Sequence, residues 1–274
     1  MNSEFKEFFR EQSFQSFPVV FFLGGKGTRM ENFAYKQILP SKQWLPLPLE
    51  LFPEYKEPMP LFWMNFEILL DVGIKEFYFI IPFEFKDKVF KYFQRISQVI
   101  KEVKKGRDFD VELIDIKKER GGETGSVEKI KIYLVPSNEE GTAKVLLNLE
   151  NFLHSPFIVI FGDEFYGWDR EELVKEFKRF IKEGAEEIQE GKATHVISYL
   201  KNQKIISSLS LFSPKVFEII KKENNIINLD EKIEGIKRLP IDVKYWINVN
   251  TKGDYNELLR EIEKRTKQKI ATKE

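Results

Sequence analysis

Val19-Val20-Phe21-Phe22-Leu23-Gly24-Gly25-Lys26-Gly27-Thr28-Arg29-Met30 is the stretch on which the fold turns. Five apolar residues read as a buried strand and run straight into a glycine turn. Glycines let the backbone turn tightly and bring its amides against phosphate oxygens, and Arg29 adds a forked cation that matches those oxygens. The segment reads as a phosphate-binding loop, with a solvent-facing hairpin turn as the plainer alternative. It is not a dinucleotide fingerprint, because Gly25-Lys26-Gly27 is followed by Thr28, Arg29 and Met30 with no third glycine or alanine. It is not an ATPase loop either, since Lys26 is followed by Gly27 rather than Ser or Thr.

Outward from this strand the pattern alternates. A helix at Leu61 to Val72 stopping at Gly73, a strand at Glu76 to Ile81, a helix at Phe85 to Lys104 and a strand at Asp110 to Ile116 follow in order. Further on come a strand at Ile130 to Val135, a helix at Thr142 to Phe152, a strand at Phe157 to Phe161 and a helix at Arg170 to Gly184. Val196 to Leu200 and Ile205 to Phe212 read as paired strands, with helices starting at Pro214 and near Asp254. This βαβ rhythm predicts an α/β fold: a Rossmann-like three-layer sandwich with a mostly parallel central sheet between helices. Residues 1–17 read as a polar, Phe-studded leader, Lys117 to Ser126 as a surface loop, and 224–237 gives no clear element.

Composition narrows the chemistry. The chain has 274 residues, with Lys plus Arg and Asp plus Glu both at 44, so no overall basic field draws nucleic acid or an anionic membrane. With no cysteine, disulfides, thiolate zinc sites and cysteine nucleophiles are excluded, and a bound metal would be held by oxygen. His154 and His195 are too isolated for a metal cluster and read as surface or strand residues. The first 17 residues are too charged for a secretory signal, and no apolar run approaches the roughly 18 residues of a membrane span, so a cytoplasmic protein is expected. Abundant Lys and Glu, absent Cys and 26 Phe fit a thermophile's composition. The run Phe77, Phe79, Phe83, Phe85, Phe90 and Phe93 is expected to fill core and to offer a contact for a homo-oligomer, rather than to stack bases.

Four further segments bear on the same chemistry. Lys36-Gln37-Ile38-Leu39-Pro40 is nearly repeated by Lys42-Gln43-Trp44-Leu45-Pro46. Glu140-Gly141-Thr142-Ala143 opens a helix, and Phe161-Gly162-Asp163 ends a buried strand. A carboxylate at that place sits where open α/β sheets bind ligands, and magnesium needs such an oxygen with phosphates completing its octahedron; capping of the next turn is the alternative. The fourth is Tyr245-Trp246-Ile247-Asn248-Val249-Asn250-Thr251 with Asp254-Tyr255.

Together with the glycine loop, these segments resemble the sugar-phosphate nucleotidyltransferase family, whose signature is Gly-Gly-x-Gly-Thr-Arg. The resemblance spans roughly Val19 to Tyr255 and implies one glycosyltransferase-A-like nucleotidyltransferase domain over 1–274, with a shortened acceptor-side and C-terminal region at 205–274. It implies in-line attack of a sugar 1-phosphate on the α-phosphorus of a nucleoside triphosphate, with pyrophosphate released. Gly24, Gly25, Gly27 and Thr28 would cradle the phosphates, Arg29 would hold the leaving pyrophosphate, and Gly141 and Thr142 would flank the base. Lys36, seven residues after Arg29, would bridge the two phosphates, with Lys42 as the other candidate; Asp163 and Asn248 would bind Mg2+. Asn248 stands where the family carries an acid, and Pro136 where it commonly reads the base with glutamine, so the nucleotide is not fixed. The short Thr194 to Phe217 region lacks the usual sugar contact. This brevity and Asn-Val-Asn-Thr at 248–251 also resemble molybdopterin nucleotidyltransferases, and the missing acid fits a catalytically weak binding or regulatory homologue.

Overall fold

The computed structural model describes residues 14–24, 39–52, 57–96, 101–105, 110–119, 127–138, 141–222 and 235–271. The chain enters through β1 (Val19–Phe22), all four residues of which are buried. Next come α1 (Trp63–Val72), closed by the left-handed Gly73, then β2 (Glu76–Pro82) and α2 (Lys86–Ile96). β3 (Lys101–Lys105), β4 (Asp110–Glu119) and β5 (Val127–Ser137) precede the short α3 (Thr142–Leu147). β6 (Phe157–Phe161), β7 (Glu164–Phe165) and the long α4 (Arg170–Gln189) follow. The last elements are β8 (His195–Leu200), β9 (Ile205–Phe212), α5 (Val216–Lys222), β10 (Ile236–Ile241), β11 (Ile247–Asn248) and α6 (Lys252–Ala271).

Among the described residues nine strands form one sheet in the order β10-β8-β9-β6-β1-β2-β5-β4-β3, and β11 and β7 form a separate antiparallel pair. β1 pairs in parallel with both β2 and β6, and β2 pairs in parallel with β5. Only β4 and β9 run against the rest, so the sheet is mostly parallel as the βαβ rhythm predicts. Alternation along the strands separates two cores. Val19, Phe21, Phe77, Phe79, Ile158 and Ile160 face a layer that includes α1 and α4. Val20, Phe22, Tyr78, Ile80 and Val159 face the layer of α3 and α5. Coverage on both faces explains why β1 and β6 read as unbroken apolar runs.

Several expectations are corrected. The helix foreseen over Phe85 to Lys104 ends at Ile96, because Lys101–Lys105 is captured as an edge strand by β4, tertiary pairing overriding local propensity. The helix at Thr142 gives way after Leu147 to successive turns through Phe152. α4 does not stop at Gly184. That glycine is buried within the helix, where an added Cβ would lie 3.2 Å from Leu211, and its smallness lets α4 approach the sheet. β10, which pairs in parallel with β8, begins at Ile236, at the very end of the unassigned 224–237 region; 223–234 lies outside the described residues. β4 extends to Glu119, three residues beyond the expected end, and the rest of the expected surface loop at 120–126 lies outside the described residues. Among the described residues, no helix is long and apolar enough to cross a membrane.

Candidate active site

Parallel β1, β2, β5 and β6 present their carboxyl ends at one edge of the sheet, the edge at which open α/β sheets bind ligands. Leu23 and Gly24 leave β1 there. The Leu23 amide donates to the Ile80 carbonyl, and Gly24 lies against Pro82. Gly25, Gly27, Thr28, Arg29 and Lys36 lie outside the described residues.

β6 ends at the same edge, where Gly162 is a packing necessity. A Cβ on it would fall 2.5 Å from Leu23 Cδ2 and 2.8 Å from Phe62 Cβ, so only glycine lets the chain cross here and present Asp163. The Val249 amide donates to the Asp163 carbonyl at 2.8 Å, and Asn248 stands opposite Glu164 in the β7–β11 pair. The strand end and the 248–250 segment are thereby joined.

The lysine in this place is Lys42. It occupies a 3-10 turn at Lys42–Trp44, and the Ser41 hydroxyl donates to the Leu23 carbonyl at 2.6 Å. Trp44 anchors the turn, packing edge-on against Phe62 and Tyr92 with ring centroids 5.0 and 5.5 Å apart. From this mount the Lys42 Nζ reaches Asp163 Oδ2 at 2.6 Å and Asn250 Oδ1 at 2.6 Å. Lys42 and Asp163 are both largely withdrawn from solvent, with side chains 15% and 11% exposed.

Asn250 is held in turn. Its amide and that of Thr251 donate to Asp254 Oδ2 at 2.9 and 2.7 Å, while the Asp254 amide donates to Thr251 Oγ1, a reciprocal cap at the start of α6.

Glu164, the first residue of β7, has partners other than those of Asp163. Its buried carboxylate accepts from the Tyr166 hydroxyl at 2.6 Å, the Trp246 indole at 3.2 Å and the Ser208 amide at 3.0 Å. Burial raises its pKa to about 6, the Asp163 charge adding to the rise while the bonds from Tyr166, Ser208 and Trp246 oppose it. Burial and the Glu164 charge push the Tyr166 hydroxyl well above its ordinary value.

The residues suit an oxygen-bound divalent cation. Asp163 Oδ1 and Asn248 Oδ1 are buried and lack hydrogen-bond partners among the described residues, as does Gln43 Oε1 beside Gly162. Magnesium takes oxygen ligands and is commonly bound through one or two carboxylates, with waters and substrate phosphates supplying the rest. Among the described residues no group of three or more His, Cys, Asp or Glu could form a complete cage. Of the other residues expected at the site, Gly141 (φ 96°) and Thr142 begin α3, which packs on the face carrying Val20 and Phe22. His154 is exposed and His195 is a buried strand residue, as read from sequence.

Sequence reading passed over Glu164, Gln43 and the holding role of Asn250. The signal for Glu164 is an acid beside Asp163 inside the otherwise apolar run Phe161 to Tyr166, where a carboxylate is buried only with hydrogen-bond partners.

No family model matches the sequence, and no curated protein matches it. Solved structures do. A candidate glucose-1-phosphate thymidylyltransferase from Bacillus anthracis, in complex with sucrose, aligns at 14% identity and a TM-score of 0.59, over 89% of this chain and 94% of its own. A UDP-glucose pyrophosphorylase complexed with UDP-glucose aligns at 13% identity and 0.56, over 91% and 99%. This chain shares the fold of both. HddC from Yersinia pseudotuberculosis shares it at 17% identity and a TM-score of 0.55, over 90% and 99% of the two chains.

Proposed function

We propose that this protein is a nucleotidyltransferase that joins a nucleoside triphosphate to a sugar 1-phosphate and releases pyrophosphate. The observation that carries the reading is the meeting of Lys42, Asp163 and the 248–250 segment at the carboxyl edge of the sheet, where β1 opens into the glycine loop. A phosphate oxygen of the acceptor attacks the α-phosphorus in line, a new P–O bond forms, and the bond to the β-phosphate breaks with its electrons leaving on pyrophosphate. The acceptor is already an anion, so no general base is needed. The protein's work is to align two anions and to neutralise the charge that grows on their oxygens.

In this reading the Lys42 ammonium donates between the attacking and attacked phosphates, the role that Lys36 would otherwise fill. Gly24, Gly25, Gly27 and Thr28 supply backbone and hydroxyl donors, Arg29 holds the leaving pyrophosphate, and Gly141 and Thr142 flank the base. Asp163 and Asn248 would hold Mg2+, which when bound neutralises phosphate charge. Glu164, opposite Asn248 in the β7–β11 pair, accepts from the Trp246 indole and so ties that pair together beside Asp163.

The test is pyrophosphate release with magnesium across the nucleoside triphosphates and a panel of sugar 1-phosphates, comparing wild type with Lys42→Ala and Asp163→Ala. Acceptor-dependent release lost in both variants is expected. A pterin phosphate as the sole productive acceptor would transfer the reading to the molybdopterin branch. The amide at Asn248 favours one second reading, a nucleotide-binding homologue without turnover, and tight binding with no pyrophosphate from any acceptor would establish it.

A further inference from the structure

We propose that Asn250 is a positioning residue that stations the Lys42 ammonium on Asp163, so that a divalent cation gains Asp163 only when nucleotide phosphates draw the lysine away. The inference rests on the nucleotidyltransferase reading for its physiological meaning, but its geometry stands alone. Lys42 Nζ lies 2.6 Å from one oxygen of Asp163 and 2.6 Å from the Asn250 amide oxygen. Neither side of this bridge is a wandering surface group. Ser41 and the buried Trp44 fix the lysine's turn, and the Asp254 cap fixes Asn250.

Asp163 itself and chain neighbours of the bridging residues carry buried oxygens that nothing among the described residues satisfies. Asp163 Oδ1, Asn248 Oδ1 and Gln43 Oε1 are buried without hydrogen-bond partners among the described residues. Such a surplus invites a cation, yet the one carboxylate oxygen that is satisfied is already held by a cation that the protein supplies. A divalent ion entering beside Lys42 meets the ammonium that already holds Asp163 Oδ2, and like charges repel until more anion arrives. A triphosphate brings that anion. Its oxygens offer the ammonium a more negative partner than the Asn250 amide, and transfer of Lys42 onto them releases Asp163 Oδ2. Cation and nucleotide therefore enter together.

The experiment is Mn2+ binding to the full-length protein without nucleotide, followed by electron paramagnetic resonance, in wild type, Lys42→Met, Asn250→Ala and the Lys42→Met/Asp163→Asn double variant. Lys42→Met is expected to tighten Mn2+ by about tenfold or more, taking as guide the one to three pKa units by which a neighbouring cation weakens a carboxylate's hold on a proton. Asn250→Ala is expected to give a smaller gain of the same sign, and the double variant to lose the gain. Wild type binding Mn2+ as tightly as Lys42→Met overturns the proposal, as does a gain that survives Asp163→Asn. Should Lys42→Met fail to fold, Asn250→Ala decides, and no gain in it is equally fatal. Normal pyrophosphate release with no Mn2+ gain would sink this inference alone. A gain in a protein that turns over no acceptor would sink the function and leave the Lys42–cation competition standing.

Discussion

Replacing His195 with phenylalanine is expected to remove an acid-sensitive contribution to stability. β8 places this ring at 1% exposure, stacked on Phe212 with centroids 3.8 Å apart, and neither ring nitrogen has a hydrogen-bond partner among the described residues. Burial lowers its pKa from 6.5 to about 3. The folded protein therefore keeps the ring neutral where the unfolded chain takes up a proton. Because the folded value is the lower one, this contribution is fully present above pH 6.5 and is lost as pH falls toward 3, at about 1.4 kcal/mol per unit once well below 6.5. Between pH 7.5 and 5 the loss is about 2 kcal/mol, or a Tm change of about 3–4 °C for a chain of this size. Glu164 works against it. Its folded pKa is raised to about 6, so its contribution is present below 4.5 and lost as pH rises through 6. Comparison of wild type with His195→Phe cancels Glu164 and every other carboxylate, and it retains the aromatic stack on Phe212. Urea unfolding at pH 7.5 and 5 should show the wild type losing about 2 kcal/mol more than the variant. Equal losses would refute the reasoning.

Four further outcomes follow from the packing and the site. Gly162→Ala forces a methyl into Leu23 and Phe62 and should cost roughly 1–3 kcal/mol in urea unfolding, while an unchanged midpoint would contradict the close approach. Arg170→Met removes the guanidinium that joins Asp71 to the fully buried Glu67, tying α4 to α1, and should cost about 2 kcal/mol or more; adding Glu67→Gln should recover part of the loss. Asp254→Ala removes the acceptor for the Asn250 and Thr251 amides and should cost about 1 kcal/mol by thermal denaturation. In the transfer reaction, Lys42→Ala should lower kcat by about 10²–10³, and a change confined to KM would deny it a role in the transition state.

Much of the sheet was legible because its strands are buried on both faces and bounded by turn residues. β6 was read at Phe157 to Phe161 and lies there, and β9 was read at Ile205 to Phe212 and lies there. What escaped reading depends on partners distant in the chain. β10 carries Pro240 among charged residues and qualifies as a strand only as the last member of the sheet, pairing with β8 alone. β7 and β11 are two residues each and exist through one another. At the site, the place of Asp163 was legible, since the apolar run Phe157 to Phe161 fixes where the strand ends. Sequence does not choose between Lys36 and Lys42, since the two segments are near copies, and Lys36 lies outside the described residues. The burial of Trp44 against Phe62 and Tyr92, which aims Lys42 at Asp163, is a tertiary fact. The opposite fates of Asp163 and Glu164 are likewise set by what packs behind them, the Tyr166 hydroxyl and the Trp246 indole.

The central claim is tested most directly by following a nucleoside triphosphate labelled at the α-phosphorus in the presence of magnesium and a sugar 1-phosphate. The account expects the label to leave the triphosphate and reappear in a nucleoside diphosphate sugar, in equal amount with pyrophosphate, and to stay in place when Asp163 is alanine. Label that remains in a bound triphosphate, or emerges as nucleoside monophosphate whether or not an acceptor is present, would contradict it.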